Sequence, residues 1–132
     1  MKVVIDTNVL VSSILANGPL AAIADMIADG KLRPFYNDHI IAEYWNVLHC
    51  PQFGFLSLQI DRLIDTIVKT GVAVDVHIPS AISMTDEEDR KFYDAAKISH
   101  AYLITGNIKH FPKEPFIVTP AGFLNTYLQG TL

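Results

Sequence analysis

Met1-Lys2-Val3-Val4-Ile5-Asp6-Thr7-Asn8-Val9-Leu10 opens the chain, and its reading decides the fold class. A short apolar run stops at a carboxylate. Two small polar residues follow, and then a helix-like apolar pattern begins. An α/β protein places an acid in this way at the carboxyl end of a buried first strand, where open parallel sheets bind ligands. Taken alone, Asp6 is best explained as an acid capping the next helix. Asn8 is equally at home as a local turn former. Whether Asp6 stands alone or in a cluster decides the function.

Outward from that stretch, short apolar runs alternate with helix-length periodic segments. Lys2 to Ile5, Leu32 to Tyr36, Val72 to Val76, Tyr102 to Thr105 and Phe116 to Val118 read as strands. Val9 to Ala16 reads as a helix broken by Asn17-Gly18-Pro19. Leu20 to Ala28 is a second helix with Gly30 past its end. Asn37 or Asp38 caps a helix running to about His49, which Pro51 closes. Ser57 to Lys69, Thr85 to His100 and Pro120 to Gln129 complete the helices, and Ile78 to Met84 is a loop. Strands separated by helices predict βαβ units, a mostly parallel sheet and right-handed crossovers.

The length of 132 residues suits one domain spanning 1–132, with no repeat or linker. Half the residues are hydrophobic and 18% are charged, the balance of a globular protein. One cysteine, Cys50, excludes a disulfide framework and a cysteine-based zinc site. A reducing cytosol suits that usage. No stretch reaches the ~20 apolar residues of a membrane span, and no signal peptide is expected. The net charge of −4 argues against holding nucleic acid by bulk electrostatics. It leaves room for an enzyme whose acids are sequestered by metal ions.

Two further acids stand out. Glu43 shares a helix face with Ile40 and Val47, three residues before and four after it. A carboxylate on an apolar stripe costs several kcal/mol unless it is paired or metal-bound. The alternative, an acid at the stripe's edge reaching water, is equally consistent with the periodicity. In Thr85-Asp86-Glu87-Glu88-Asp89-Arg90, a capping box of Thr85 with Glu88 and acids suited to the helix dipole explain most of the run. Asp89 differs, because it falls on one face with Phe92 and Ala96. Asp94 lies off that face and pairs with Arg90 on the surface. Tyr102-Leu103-Ile104-Thr105-Gly106-Asn107 ends another apolar strand in polar residues. This is either a turn or a neighbour of Asp6 at one sheet edge. Acids gathered there need cations. An oxygen-only donor set suits Mg²⁺ or Mn²⁺, and the chemistry it supports is phosphodiester hydrolysis.

These pieces together resemble the PIN domain family, in particular the branch of toxin–antitoxin toxin components similar to VapC-type ribonucleases. The resemblance rests on Val4-Ile5-Asp6-Thr7-Asn8-Val9-Leu10, Ile41-Ala42-Glu43-Tyr44 and Asp86 through Tyr93. It continues through Leu103-Ile104-Thr105-Gly106-Asn107 and Ile117-Val118-Thr119-Pro120-Ala121-Gly122-Phe123-Leu124. It implies a three-layer α/β/α fold and a metal-dependent endoribonuclease that holds Mg²⁺ or Mn²⁺ through Asp6, Glu43 and Asp89. Asn8 and Thr105 would support them. Many PIN domains carry a fourth acid where this chain has Asn107. One firmly bound ion, with a second arriving alongside the RNA, is therefore the expectation. Lys109, His110 and Lys113 are candidates to meet RNA phosphates, as are Lys31 and Arg33 more remotely. His49, His77, His100 and Cys50 lack metal-ligand spacing and read as structural. Tyr44 and Trp45 are expected to pack in the core or an interface.

Two other readings remain at this level. One is a PIN-like module that has lost activity and binds RNA or protein, which Asn107 keeps open and the three retained acids argue against. The other is a phospho-acceptor signalling domain. That class needs adjacent early acids and a late lysine, where this chain has Thr105-Gly106-Asn107. The resemblance further implies an antitoxin whose basic tail covers the acidic cleft, and self-association. The apolar faces of Val9 to Ala16 and Ser57 to Lys69 could supply the interface between copies.

Overall fold

Val3, Val4 and Ile5 are shut off from solvent. In the computed structural model, which describes residues 1–15 and 19–128, they form strand β1 (Lys2–Ile5) at the centre of a sheet. A β-branched run buried on both faces is what a central parallel strand requires. The other strands are β2 (Arg33–Tyr36), β3 (Val72–Ala73), β4 (Tyr102–Ile104) and β5 (Ile117–Val118). Their order is β3-β2-β1-β4-β5, and every pairing is parallel. The expected mostly parallel sheet is wholly parallel among the described residues. Strand order reverses between β1 and β4, where Ile5 faces Ile104. That reversal opens a crevice at the carboxyl ends of the two strands, and such crevices are where open α/β sheets bind ligands.

Helix α1 (Thr7–Leu15) begins two residues before the expected Val9. The Asp6 carbonyl accepts from the Val9 and Leu10 N–H groups at 3.0 and 3.2 Å, so the strand turns into the helix at once. The expected break at Asn17-Gly18 lies outside the described residues. Helix α2 (Pro19–Ala28) is followed by Gly30 at φ 74°, as its sequence implies. Helix α3 (Asp38–Leu48) is capped by the Asn37 side chain, which accepts from the Ile40 N–H at 2.9 Å. Helix α4 (Ser57–Thr70) stops at Gly71. A Cβ on Gly71 would lie 2.1 Å from the Pro34 carbonyl oxygen, so only glycine lets this corner close on β2. Helices α5 (Arg90–Ser99) and α6 (Pro120–Leu128) complete the fold, and the expected last residue of α6, Gln129, lies outside the described residues.

Helix α5 packs across β1, β2 and β4. It crosses in the direction opposite to the earlier helices, so right-handed connections put it on the opposite face of the sheet from α1–α4. Helices α1–α4, the sheet and α5 make three layers, and α6 packs on α2. Among the described residues no single helix is long and apolar enough to cross a membrane.

One helix departs from its expected form. Residues 85–100 do not form one helix opened by a Thr85–Glu88 capping box. Asp86 caps a short 3-10 turn, Glu87–Asp89, by accepting from the Glu88 N–H at 3.0 Å, and α5 begins only at Arg90. The Asp86 carboxylate reaches that N–H two residues on, a local bond that competes with a helical start. Asp89 therefore stands at the junction, not inside the helix.

Candidate functional site

Asp6 lies at the carboxyl end of β1 and is 6% exposed. Burial holds its carboxyl above the usual aspartate range. The Thr105 hydroxyl and the Asn8 N–H oppose that shift, the Glu43 charge reinforces it, and the Thr7 N–H opposes it again. The carboxylate thus accepts from the first N–H groups of α1, as a capping acid does. Thr105 is fully buried at the end of β4. Its hydroxyl donates to Asp6 Oδ2 at 2.8 Å and accepts the Asn107 N–H at 3.0 Å. The two strand ends on either side of the sheet's reversal are thus joined by one side-chain bond. The exposed side chain of Asn8 takes no part in this bonding; its backbone does.

Glu43 projects from α3 toward the same edge. Its Oε2 accepts from the Thr7 hydroxyl, and its Oε1 pairs with Lys91 Nζ at 2.8 Å. Thr7 is buried and had no role in the sequence reading. The signal was its place between Asp6 and Asn8, where a hydroxyl can reach sideways while the backbone caps α1. Tyr44 packs in the core as expected, beside Phe92, and its hydroxyl donates to the Ile5 carbonyl. Burial, then the charges of Asp6 and Glu43, make that hydroxyl harder to ionise.

Asp89 occupies the cap position of α5 without a side-chain hydrogen bond to the helix. Burial, then the charges of Asp6 and Asp86, push its carboxyl up to about 6; His110 opposes the shift and Glu43 adds to it. Like charges disfavour ionisation in this way only when they are close. The charges of Asp6 and Glu43 both act on Asp89, and that of Glu43 acts on Asp6. Their donors are all carboxylate oxygens, which suits a hard divalent cation such as Mg²⁺ or Mn²⁺. As the side chains stand, no group of three or more acids, histidines or cysteines among the described residues is gathered tightly enough to hold one ion. Glu43 is turned to Thr7 and Lys91 instead. A cleft of about 440 Å³ opens beside it, lined by His39, Glu43, Asn46, Glu87, Glu88 and Lys91 among others.

Asn107 is exposed and begins a 3-10 turn, Ile108–His110. Lys109, His110 and Lys113 are exposed on this turn and the loop after it, and the effect of His110 on Asp89 places it at the acidic edge. Lys31 and Arg33 do not belong there. They lie at the start of β2, and parallel pairing with β1 puts that end across the sheet from Asp6.

One other reading needs correction. Asp94 does not pair with Arg90 on the surface. It is 7% exposed and accepts the Ser80 N–H on Oδ2 at 3.1 Å, while its Oδ1 has no partner among the described residues. Arg90 instead forks onto Glu87 with two 2.7 Å bonds and binds the Ser80 carbonyl at 2.7 Å. The loop carrying Ser80 lies against α5 and buries Asp94. Of the two places expected for Trp45, core or interface, the structure excludes the core: it is 44% exposed, with its ring against His49.

The family model described as PIN domain matches residues 2–109. The chain belongs to the PIN domain family, whose members are generally nucleases, and the phospho-acceptor reading is set aside. No curated protein matches the chain.

Proposed function

We propose that this protein is a Mg²⁺- or Mn²⁺-dependent endoribonuclease, one nuclease unit over residues 1–132, and the toxin of a toxin–antitoxin pair. The observation that carries the reading is that Asp6, tied by Thr105 at the reversal of the sheet, and Asp89 are both raised by burial, with the Glu43 charge adding to each. A cation drawn in among these acids would offset the cost of ionising them. Bound there, a divalent ion would neutralise them, polarise the phosphate and lower the pKa of a water.

Asp6 and Asp89 would hold the ion, and Glu43 would hold it or position the attacking water. Thr105 keeps Asp6 oriented through its hydroxyl. Water attacks phosphorus in line, and the bond to the 3′ oxygen breaks. That oxygen leaves as a hydroxyl and the other fragment keeps a 5′-phosphate. Lys109, His110 and Lys113 would meet the RNA backbone beside the acids. Asn107 brings an amide oxygen without charge, which favours one firmly held ion with a second arriving alongside the RNA.

An antitoxin with a basic segment complements the negative field of the cleft. Self-association would use α1 and α4, where Leu15, Leu58 and Val68 are exposed, with Leu56 just before α4. A lone thiol and an RNA substrate fit a reducing cytosol.

The test is cleavage of a structured RNA with Mn²⁺, Mg²⁺ or chelator. Asp6→Asn and Asp89→Asn should each lose cleavage while keeping the parent circular dichroism. If both cut at the parent rate, the site assignment is wrong. A second reading, a weakened PIN module that binds without cutting, draws on Asn107 and on the full engagement of Glu43. RNA retained but left whole in Mn²⁺ would favour it.

A further inference from the structure

We propose that Lys91 is a built-in counter-cation that competes with the divalent ion for Glu43, and so sets how tightly the acidic site holds metal. The inference rests on the metal-dependent reading above. Both carboxylate oxygens of Glu43 are committed, one to the Thr7 hydroxyl and one to Lys91 Nζ. The ammonium is held in place from several sides. It donates to the Glu88 carbonyl at 2.6 Å, lies 3.5 Å from Glu88 Oε2, and sits 5.3 Å from the centre of the Phe92 ring. Its side chain is only 16% exposed, and Phe92 beneath it is fully buried, so the charge is anchored to the core.

Asp6 and Asp89 are treated differently by the fold. Asp6 is met by a hydroxyl and backbone N–H groups, and the charge opposing the shift of Asp89 is that of His110. Neither forms an ion pair among the described residues. The three acids therefore divide into two without a contacting cation and one that carries its own. A divalent ion engages the two aspartates first. It gains Glu43 only when the Lys91 ammonium leaves Oε1, and until then it meets a fixed positive charge beside the site.

The experiment measures Mn²⁺ affinity by electron paramagnetic resonance of the free ion, in the absence of RNA. The proteins are the parent, Lys91→Met, Lys91→Gln, Glu43→Gln and the Lys91→Met/Glu43→Gln double variant. Lys91→Gln keeps the stem and a donor for the Glu88 carbonyl, and guards against a folding defect in the methionine variant. Loss of the ammonium should tighten Mn²⁺ binding by about five- to tenfold, the scale of one partly screened charge. The gain should vanish in the Glu43→Gln background. Equal affinity in the parent and both Lys91 variants overturns the inference and leaves the nuclease reading standing. A gain that persists in the double variant also overturns it, because the effect then does not run through Glu43. No Mn²⁺ binding by any variant, with no RNA cleavage by the parent, removes both readings together.

Discussion

Replacing Thr105 with valine keeps the shape of a fully buried side chain and deletes one hydroxyl. Two bonds go with it. The bond from the hydroxyl goes to Asp6 Oδ2, and where that carboxyl is ionised such bonds contribute about 1.5–3 kcal/mol. The Asn107 N–H belongs to an exposed turn and turns to water, so its loss adds little. Unfolding entropy of about 2.1 cal/mol/K per residue gives roughly 0.28 kcal/mol/K for 132 residues. Thr105→Val should then lower the melting temperature by about 5–10 °C at pH 8. The effect has a pH signature. Burial already raises the Asp6 carboxyl, and the hydroxyl is the strongest influence holding it down. Without the hydroxyl the folded-state pKa rises further, so the variant loses most where Asp6 must be ionised and least in acid. Calorimetry at pH 4.5 and pH 8 reads both quantities. A melting difference that is the same at the two pH values, or absent at pH 8, would refute the coupling of Thr105 to the Asp6 charge.

Three further outcomes are expected. The Asp89 carboxyl, pushed up to about 6, binds a proton in the folded protein that the unfolded chain releases near 4. Its contribution to stability therefore declines as pH rises from 4 to 6 in metal-free protein. Comparing the metal-free parent with Asp89→Asn across that window should show a steeper decline in the parent, and millimolar Mn²⁺ should reduce the difference. Arg90→Leu cuts the fork that ties Glu87 and Ser80 to α5, so limited proteolysis should cleave within residues 74–86 several times faster than in the parent. Gly71→Ala sets a methyl against the Pro34 carbonyl oxygen, and denaturant titration should show a loss of about 1–3 kcal/mol or more.

The legible part of this site was the part written in local periodicity. The apolar run before Asp6 specified a buried strand, and Asn37 before an apolar stripe specified a capped helix. The face shared by Ile40, Glu43 and Val47 raised the question of how Glu43 is compensated. The errors occurred where the same local logic was carried across a break. Extending one helix through residues 85–100 set Asp89 inside it and Asp94 on its outside. In the structure the helix starts after Asp89, and the stretch Phe92 to Ala96 is buried throughout. A segment without regular structure does this by lying across α5, and nothing in its composition announces where it will rest.

By itself the sequence determined the alternation of strands and helices, the parallel class, and which acids end strands or interrupt apolar faces. Those properties follow from neighbours within one or two turns of chain, where steric and hydrophobic patterns act directly. Only the tertiary structure decided how the acids are compensated. Thr105 reaches Asp6 across 99 residues, and Thr7 and Lys91 take the two oxygens of Glu43 from opposite sides in sequence. Electrostatic energy depends on distance in space and on burial, and both are set only once β1 and β4 lie side by side with α3 and α5 closed over their ends.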